Sequence, residues 1–256
     1  MGLCLVGAMG CHSASSAETT GRTPTRAPLG EPQEAGATTA PSPLADQPSP
    51  VVVELYSSEG CSSCPSAEAV LRDLEGDPNI VPLELHVDYW NGLGWADPYS
   101  KAAYSARQRM YSTRMHQDGI YTPEAIVNGA TGVVGSDRRK LLSLVREARA
   151  APSKARLTMV REGEWLLLTA TETKGDANHE VWLFTAESGL VTRVLHGENQ
   201  GKTLAHGPVV REIESLGPSR DGLTIRIAKP KKNNVHYAAT VADARSWAIL
   251  GAAVAE

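Results

Sequence analysis

The stretch Val51-Val-Val-Glu-Leu-Tyr-Ser-Ser-Glu-Gly-Cys-Ser-Ser-Cys-Pro-Ser-Ala67 carries the pattern that decides the fold. Val51 to Tyr56 is a short, β-branched apolar run, which is typical of a buried strand. Apolar residues at helical spacing follow, and Gly76 supplies a stop, so we predict a helix from Cys61 to Glu75. A Cys-Ser-Ser-Cys motif therefore lies where a strand passes into a helix.

This position favours thiol chemistry. At a helix N-terminus, unpaired N–H groups and the positive end of the helix dipole stabilise a thiolate, so Cys61 is the expected nucleophile. Cys64 lies one helical turn later, close enough to form a disulfide and to resolve a mixed disulfide. Two alternatives stay open: a purely structural disulfide, and half of a zinc site, although the chain has no second cysteine pair.

The elements around the motif predict an α/β domain over residues 51–151. A second apolar run covers Ile80 to Val87, and Asp97-Pro98 is a good start for a helix that reaches about His116. Asn128-Gly129 lies between two short apolar runs and indicates a hairpin, and a last helix follows. The predicted order is β-α-β-α-β-β-α, in which the first two strands form a parallel pair.

The pattern changes after Pro152, where short apolar runs are separated by glycine and proline. Such spacing favours strands, and we predict a smaller all-β, sandwich-like domain over residues 152–256. The predicted strands include 180–185, 190–195, 209–213, 223–227, 235–241 and 247–254.

The N-terminus differs from the rest of the chain. Residues 1–11 form a short apolar run that ends in small residues and Cys11, which resembles a bacterial lipoprotein signal peptide. Residues 12–50 are rich in Pro, Ala, Ser and Thr, so we predict a disordered tether. The expected protein is exported to the periplasm and anchored to a membrane through lipid on Cys11. A different secretory signal and a cytosolic chain remain alternatives.

Composition excludes two classes of protein. The net charge of −4, with 21% charged residues, argues against a protein that binds nucleic acid. No run approaches 18 consecutive apolar residues, so a helix that spans a membrane is not expected. We assign no cofactor and no metal ligand from the sequence.

The element order, with C-x-x-C at that junction, resembles the thioredoxin fold. The resemblance implies a cis-proline that faces the disulfide, and Thr122-Pro123 matches its position. Many members of that fold also carry a buried acid in the strand before the cysteines, for which Glu54 is the candidate. The other interpretation of Glu54 is a solvated side chain at a sheet edge.

More closely, the chain resembles DUF1223, a bacterial exported family of unknown function. The resemblance covers about residues 51–256 and implies a thioredoxin-like domain with a β-rich extension. The matching segments are 53–65, 86–90, 93–95, 121–123, 134–137, 197–201 and 209–212.

Two further segments are candidates for the site. Glu84, His86 and Asp88 share one face of a predicted strand and need polar partners. Asp88, with Trp90 and Trp95, is predicted either to line a substrate groove beside the disulfide or to form a hydrogen-bonded corner. His86 with the two cysteines would be a less favoured copper site. The segment 197–203 lacks the P-loop spacing and is expected to form either a β-turn or a loop that contacts the first domain.

These observations predict a thiol–disulfide oxidoreductase in which Cys61 attacks, Cys64 resolves and Pro123 shapes the groove. Its partners would be protein or small-molecule thiols and disulfides, with a redox partner that the sequence does not name. The alternative is a binding or assembly module with a structural disulfide. Copper or zinc handling is a third possibility.

Overall fold

The structure is a computed structural model that describes residues 49–172 and 178–255. All described residues belong to one compact unit. The elements of the first half are β1 (Val51–Ser57), α1 (Cys64–Arg72), β2 (Ile80–His86), α2 (Ala102–Arg114), β3 (Glu124–Val127), β4 (Thr131–Val134) and α3 (Arg138–Ala150).

The second half consists of strands. They are β5 (Ala155–Glu162), β6 (Trp165–Glu172), β7 (His179–Glu187), β8 (Val191–Arg193), β9 (Thr203–Ala205), β10 (Val209–Pro218), β11 (Leu223–Ala228), β12 (Val235–Asp243) and β13 (Ile249–Val254). The fold is therefore mixed α/β, with few helices and many strands.

One large mixed sheet of eight strands organises the molecule, in the order β13-β12-β7-β10-β2-β1-β3-β4. β1 and β2 are parallel, and β10 joins β2 in parallel at Val209 and Glu84. The sheet thus continues from the first half of the chain into the second. Smaller sheets are formed by β11-β6-β5 and by β8-β9.

β1 explains why the site has a rigid base. All seven of its residues are buried, as expected for a strand covered on both faces. Val51, Val53 and Leu55 pack in the apolar core that α1 and α3 cover. Val52 and Tyr56 point into a second core, which includes Tyr104 and Tyr111 of α2 and residues of β7, β10 and β12.

The predicted element order of residues 51–151 matches the observed one. Two helix starts were wrong: α1 begins at Cys64, and α2 begins at Ala102 rather than at Asp97-Pro98. Asp97 does not cap α2, because its carboxylate bonds to His86 and to the backbone N–H of Glu59. The predicted boundary near residue 152 lies between α3 and β5. Strands from both sides of it form the large sheet, with β1 to β4 before it and β7, β10, β12 and β13 after it.

The predictions for the signal segment, for Cys11 and for most of the tether lie outside the described residues. Within the described ranges, no helix is both long enough and apolar enough to span a membrane.

Candidate functional site

A disulfide joins Cys61 and Cys64 directly after β1, with the two Cα atoms 5.4 Å apart. The backbone N–H of Cys61 donates to the carbonyl of Ser58, and that of Cys64 donates to the carbonyl of Cys61. These turns bring Cys61 to the N-terminal end of α1, where Cys64 is the first helical residue and Pro65 follows in the first turn.

Both cysteines are withdrawn from solvent. Cys61 is 1% exposed and Cys64 is 0% exposed, whereas Ser62 and Ser63 between them are exposed. The Sγ of Cys61 lies 3.3 Å from the Oγ of Ser63. A large reactant can therefore reach the backbone of the motif, but it reaches the sulfur atoms only if neighbouring residues move.

Residues 197–202, which we call the covering loop, contact the motif. The Asn199 side-chain amide donates to the carbonyls of Glu59 (2.9 Å) and Cys61 (2.8 Å). The Glu198 carboxylate accepts a hydrogen bond of 2.9 Å from the N–H of Ser62. This confirms that the segment is a loop that contacts the first half of the chain.

Trp90 lies between the disulfide loop and the loop that precedes β3. Its indole N–H donates to the Oγ1 of Thr122 over 2.8 Å. A Cβ added to Gly60 would lie 3.3 Å from the Cβ of Trp90, so the two residues are packed closely. The Thr122–Pro123 peptide bond is cis, the isomer that the family resemblance implied.

Trp95 and Asp88 are held by other partners. The indole N–H of Trp95 donates to Glu59 over 2.7 Å. Asp88 accepts a hydrogen bond from Ser105 of α2, and its own N–H donates to the same hydroxyl. These bonds suit a hydrogen-bonded corner, and the role of the three residues as a groove wall stays a prediction.

Glu54 is fully buried, so the solvated interpretation of this residue is wrong. It forms a bidentate ion pair with Arg107 of α2 (2.8 and 2.9 Å) and accepts bonds from the hydroxyls of Tyr56 and Tyr111. Burial opposes ionisation of Glu54, but the charge and hydrogen bonds of Arg107 and the two hydroxyls outweigh it and lower its pKa below 4.5. The carboxylate thus anchors α2 to the sheet.

A cluster of buried polar side chains includes Glu59, two residues before Cys61. We call it the acid–histidine cluster. It consists of Glu59, Glu68, Glu84, His86, Asp97 and His206. His86 bonds to a carboxylate through each ring nitrogen, with 2.6 Å from Nδ1 to Asp97 and 2.6 Å from Nε2 to Glu84. These contacts leave neither nitrogen directed at the cysteines, which argues against the copper arrangement.

His206 comes from the loop after β9 and meets the cluster from the other side. Its Nε2 lies 3.1 Å from Glu59, and its Nδ1 lies 3.2 Å from Glu68 and 3.4 Å from Glu84. The two imidazole rings are 5.1 Å apart, and the ring of Tyr99 packs edge-on against both.

The carboxylates set the charge state of the two histidines. Burial disfavours the imidazolium of His86, but the charge and hydrogen bonds of Asp97 and Glu84 outweigh it and raise its pKa to about 10. Burial also disfavours the imidazolium of His206, but the carboxylates of Glu59, Glu68 and Glu84 outweigh it and raise its pKa to about 12. Burial and the charge of Glu84 raise the pKa of Glu68 above its ordinary value of 4.5.

The residues around this site match a known protein family. The profile of the family described as "protein of unknown function (DUF1223)" matches residues 52–243, which include the disulfide and the strands and helices from β1 to β12. The chain belongs to the DUF1223 family.

A solved relative supports the fold of this DUF1223 protein. The chain is similar to the crystal structure of a protein from Agrobacterium tumefaciens, with a TM-score of 0.67 and 27% sequence identity. The similarity covers 82% of this chain and 95% of that one. No curated protein matches the DUF1223 chain.

Sequence reasoning missed much of the acid–histidine cluster in this DUF1223 protein. Glu59, Glu68 and His206 were not candidates, and Asp97 was taken for a helix cap. The signal that pointed to the cluster was the polar face of β2, because Glu84 and His86 are buried and required partners.

Proposed function

We propose that this protein is a thiol–disulfide oxidoreductase that acts through the Cys61–Cys64 pair. The observation that carries the proposal is the disulfide between a buried strand and a helix N-terminus. The loop before β3 contains the cis Thr122–Pro123 bond. Trp90 contacts both this loop and the loop that carries the disulfide. The β-α-β-α-β-β-α order of the first half supports a thioredoxin-like assignment for residues 51–151.

The reaction is an exchange of disulfides. In the reduced protein, the thiolate of Cys61 attacks a substrate disulfide, forms a mixed disulfide and releases one substrate thiolate. The thiolate of Cys64 then attacks the Sγ of Cys61, which closes the protein disulfide and releases the second substrate thiolate. The reverse sequence oxidises a substrate dithiol, and an external thiol or disulfide returns the pair to its starting state.

The covering loop gives the reaction a gate. Because both cysteines are buried, the proposal requires residues around the motif to move before a substrate reaches Cys61. Gly197 and Gly201 have φ values of 77° and 81°, which glycine adopts without steric cost. They are the positions at which we expect the covering loop to hinge.

The same burial favours a second candidate function, a binding or assembly module whose disulfide is structural. A disulfide withdrawn from solvent and hydrogen-bonded around its backbone is expected to resist reduction. The two functions predict different reduction potentials for the Cys61–Cys64 disulfide, since the potentials of structural disulfides typically lie below about −300 mV.

The test is reduction of insulin, with thiol titration, in a background where Cys4 and Cys11 are serine. We expect the parent to accelerate precipitation of insulin, Cys61→Ser to lose this activity, and Ser66→Ala, a change of an exposed serine in the first turn of α1, to retain it. A potential below about −300 mV together with no acceleration would establish the structural disulfide instead.

The proposed location is the periplasmic side of a bacterial membrane, with the lipid on Cys11. This part rests on residues 1–50 of the sequence alone. Labelling of cells with a radioactive fatty acid checks it, since Cys11→Ser is expected to abolish incorporation of the label.

A further inference from the structure

The acid–histidine cluster contains four possible metal ligands from separate parts of the chain. They are Glu68 of α1, Glu84 and His86 of β2, and His206 of the loop after β9. One ligand atom of each lies within 4.8 Å of all the others, and all four side chains are buried. A tetrahedral zinc ion with bonds of about 2.0–2.2 Å holds its ligand atoms roughly 3.3 Å apart, so small side-chain shifts would suffice.

Two of these atoms lack a hydrogen-bond partner. They are the Oε2 of Glu68 and the Nδ1 of His206. They lie 3.2 Å from each other, on side chains that are 1% and 0% exposed, but their orientation makes no hydrogen bond. Buried polar atoms almost always have a partner, so two unsatisfied atoms at this separation point to a ligand that both could bind.

We infer that Glu68, Glu84, His86 and His206 form a binding site for one divalent first-row transition metal ion, with Zn²⁺ as the representative ion. Imidazole nitrogen and carboxylate oxygen suit zinc, iron and manganese, whereas copper(I) prefers sulfur ligands. The inference does not depend on redox activity, because the cysteines joined in the disulfide supply no ligand.

The surroundings have the form of a supporting shell. The Nδ1 of His86 contacts Asp97, which leaves the Nε2 to face the site. The Nε2 of His206 contacts Glu59, which leaves the Nδ1 to face the site. Metal-binding histidines commonly bond through the other nitrogen to a carboxylate, which orients the ring and fixes its tautomer.

The charges are compatible with a cation. Even if both imidazoles of the acid–histidine cluster are protonated, its four carboxyl groups exceed them in number by two. A divalent ion at the site would supply bonds to the Oε2 of Glu68 and the Nδ1 of His206.

Four protein ligands and no exposed side chain define a closed site, which is typical of structural rather than catalytic metal centres. The ion would bind the loop of His206 to α1 and β2. Glu84 pairs with Val209 where β10 joins β2, so the site stabilises the junction between the two halves of the chain.

The experiment uses the full-length oxidised protein with its free thiols alkylated, stripped with EDTA and titrated with Zn²⁺ against a chromophoric chelator. We expect one Zn²⁺ per chain and a higher midpoint of thermal unfolding. His206→Gln and Glu68→Gln are expected to lose at least about 100-fold in affinity, and Asp97→Asn about 10–100-fold. His196→Gln changes an exposed histidine outside the cluster and is expected to bind as the parent does.

A measurement on the parent protein tests the inference even if the variants fail to fold. X-ray absorption of the zinc-loaded parent is expected to show only nitrogen and oxygen neighbours, including imidazole. Failure of the parent to bind one equivalent, sulfur in the first coordination shell, or unchanged affinity in folded His206→Gln would overturn the inference.

Discussion

The side-chain amide of Asn199 donates a hydrogen bond of 2.8 Å to the backbone carbonyl of Cys61. The two residues are far apart in the sequence, so this bond attaches a loop of the second half to the Cys-Ser-Ser-Cys motif of the first. Asn199 is 0% exposed and donates a second bond to the carbonyl of Glu59. The gate that we propose over the disulfide therefore depends on a residue outside the first half of the chain.

Loss of this contact is expected to expose the disulfide. Asn199→Ala removes the two hydrogen bonds that attach the loop to the motif. Each contributes about 0.5–1.5 kcal/mol, so the population of the open loop should rise by about 5- to 150-fold. The rate of reduction by dithiothreitol, followed with a thiol reagent, should increase by a similar factor. Gln200→Ala, which changes an exposed residue of the same loop, serves as the control. Equal rates in Asn199→Ala and the parent would contradict a gating role.

The buried ion pair between Glu54 and Arg107 predicts a large loss of stability when one partner is removed. Arg107→Met leaves the carboxylate of Glu54 buried without its countercharge, which typically costs about 3–5 kcal/mol. The free energy of unfolding in urea measures the effect. The matched control is Arg109→Met on the exposed face of the same helix, which should stay within about 0.5 kcal/mol of the parent.

The same pair predicts how stability depends on pH. Because the pKa of Glu54 is lower in the folded protein than its ordinary value of 4.5, ionised Glu54 contributes stability above that pH. The contribution is lost as the pH falls through the folded pKa. The difference in unfolding free energy between the parent and Glu54→Gln should therefore be largest above pH 4.5 and shrink in more acidic solution. A difference that does not change with pH would disprove this assignment.

Gly251 marks a close approach between the large sheet and β5. A Cβ at this position would lie 2.1 Å from the carbonyl oxygen of Ala155, which is backbone and cannot move aside cheaply. Gly251→Ala is expected to destabilise the protein by about 1–3 kcal/mol, as overpacking does. Gly92→Ala adds a Cβ in open space and should have little effect in the same thermal or urea measurement.

Local signals made much of the fold predictable. The Cys-Ser-Ser-Cys motif, the apolar spacing of α1 and the strands of the second half are properties of short windows. The hairpin at Asn128-Gly129 is a clear case, because both residues have positive φ (47° and 63°) at the centre of the turn that Val127 and Ala130 close. Glu84 and His86 were recognised as buried polar residues that required partners.

The partners themselves could not be predicted, because they depend on which strands pair. β10 lies beside β2 through one parallel contact, and this pairing brings His206 and Gly207 to Glu84. No local sequence pattern indicates this strand pairing. Asp97 was misassigned for a similar reason. Asp-Pro is a good helix start, but the carboxylate of Asp97 bonds instead to the buried imidazole of His86.

Trapping of a mixed disulfide tests the proposed oxidoreductase activity most directly. Reduced Cys64→Ser, in a background where Cys4 and Cys11 are serine, is mixed with a peptide that contains one disulfide and analysed by intact-mass spectrometry. The proposal predicts one peptide adduct per chain on Cys61, removed by dithiothreitol and at least about tenfold more abundant than on Cys61→Ser. No adduct on Cys64→Ser, or equal adducts on both variants, would contradict a role for Cys61 as the attacking thiol.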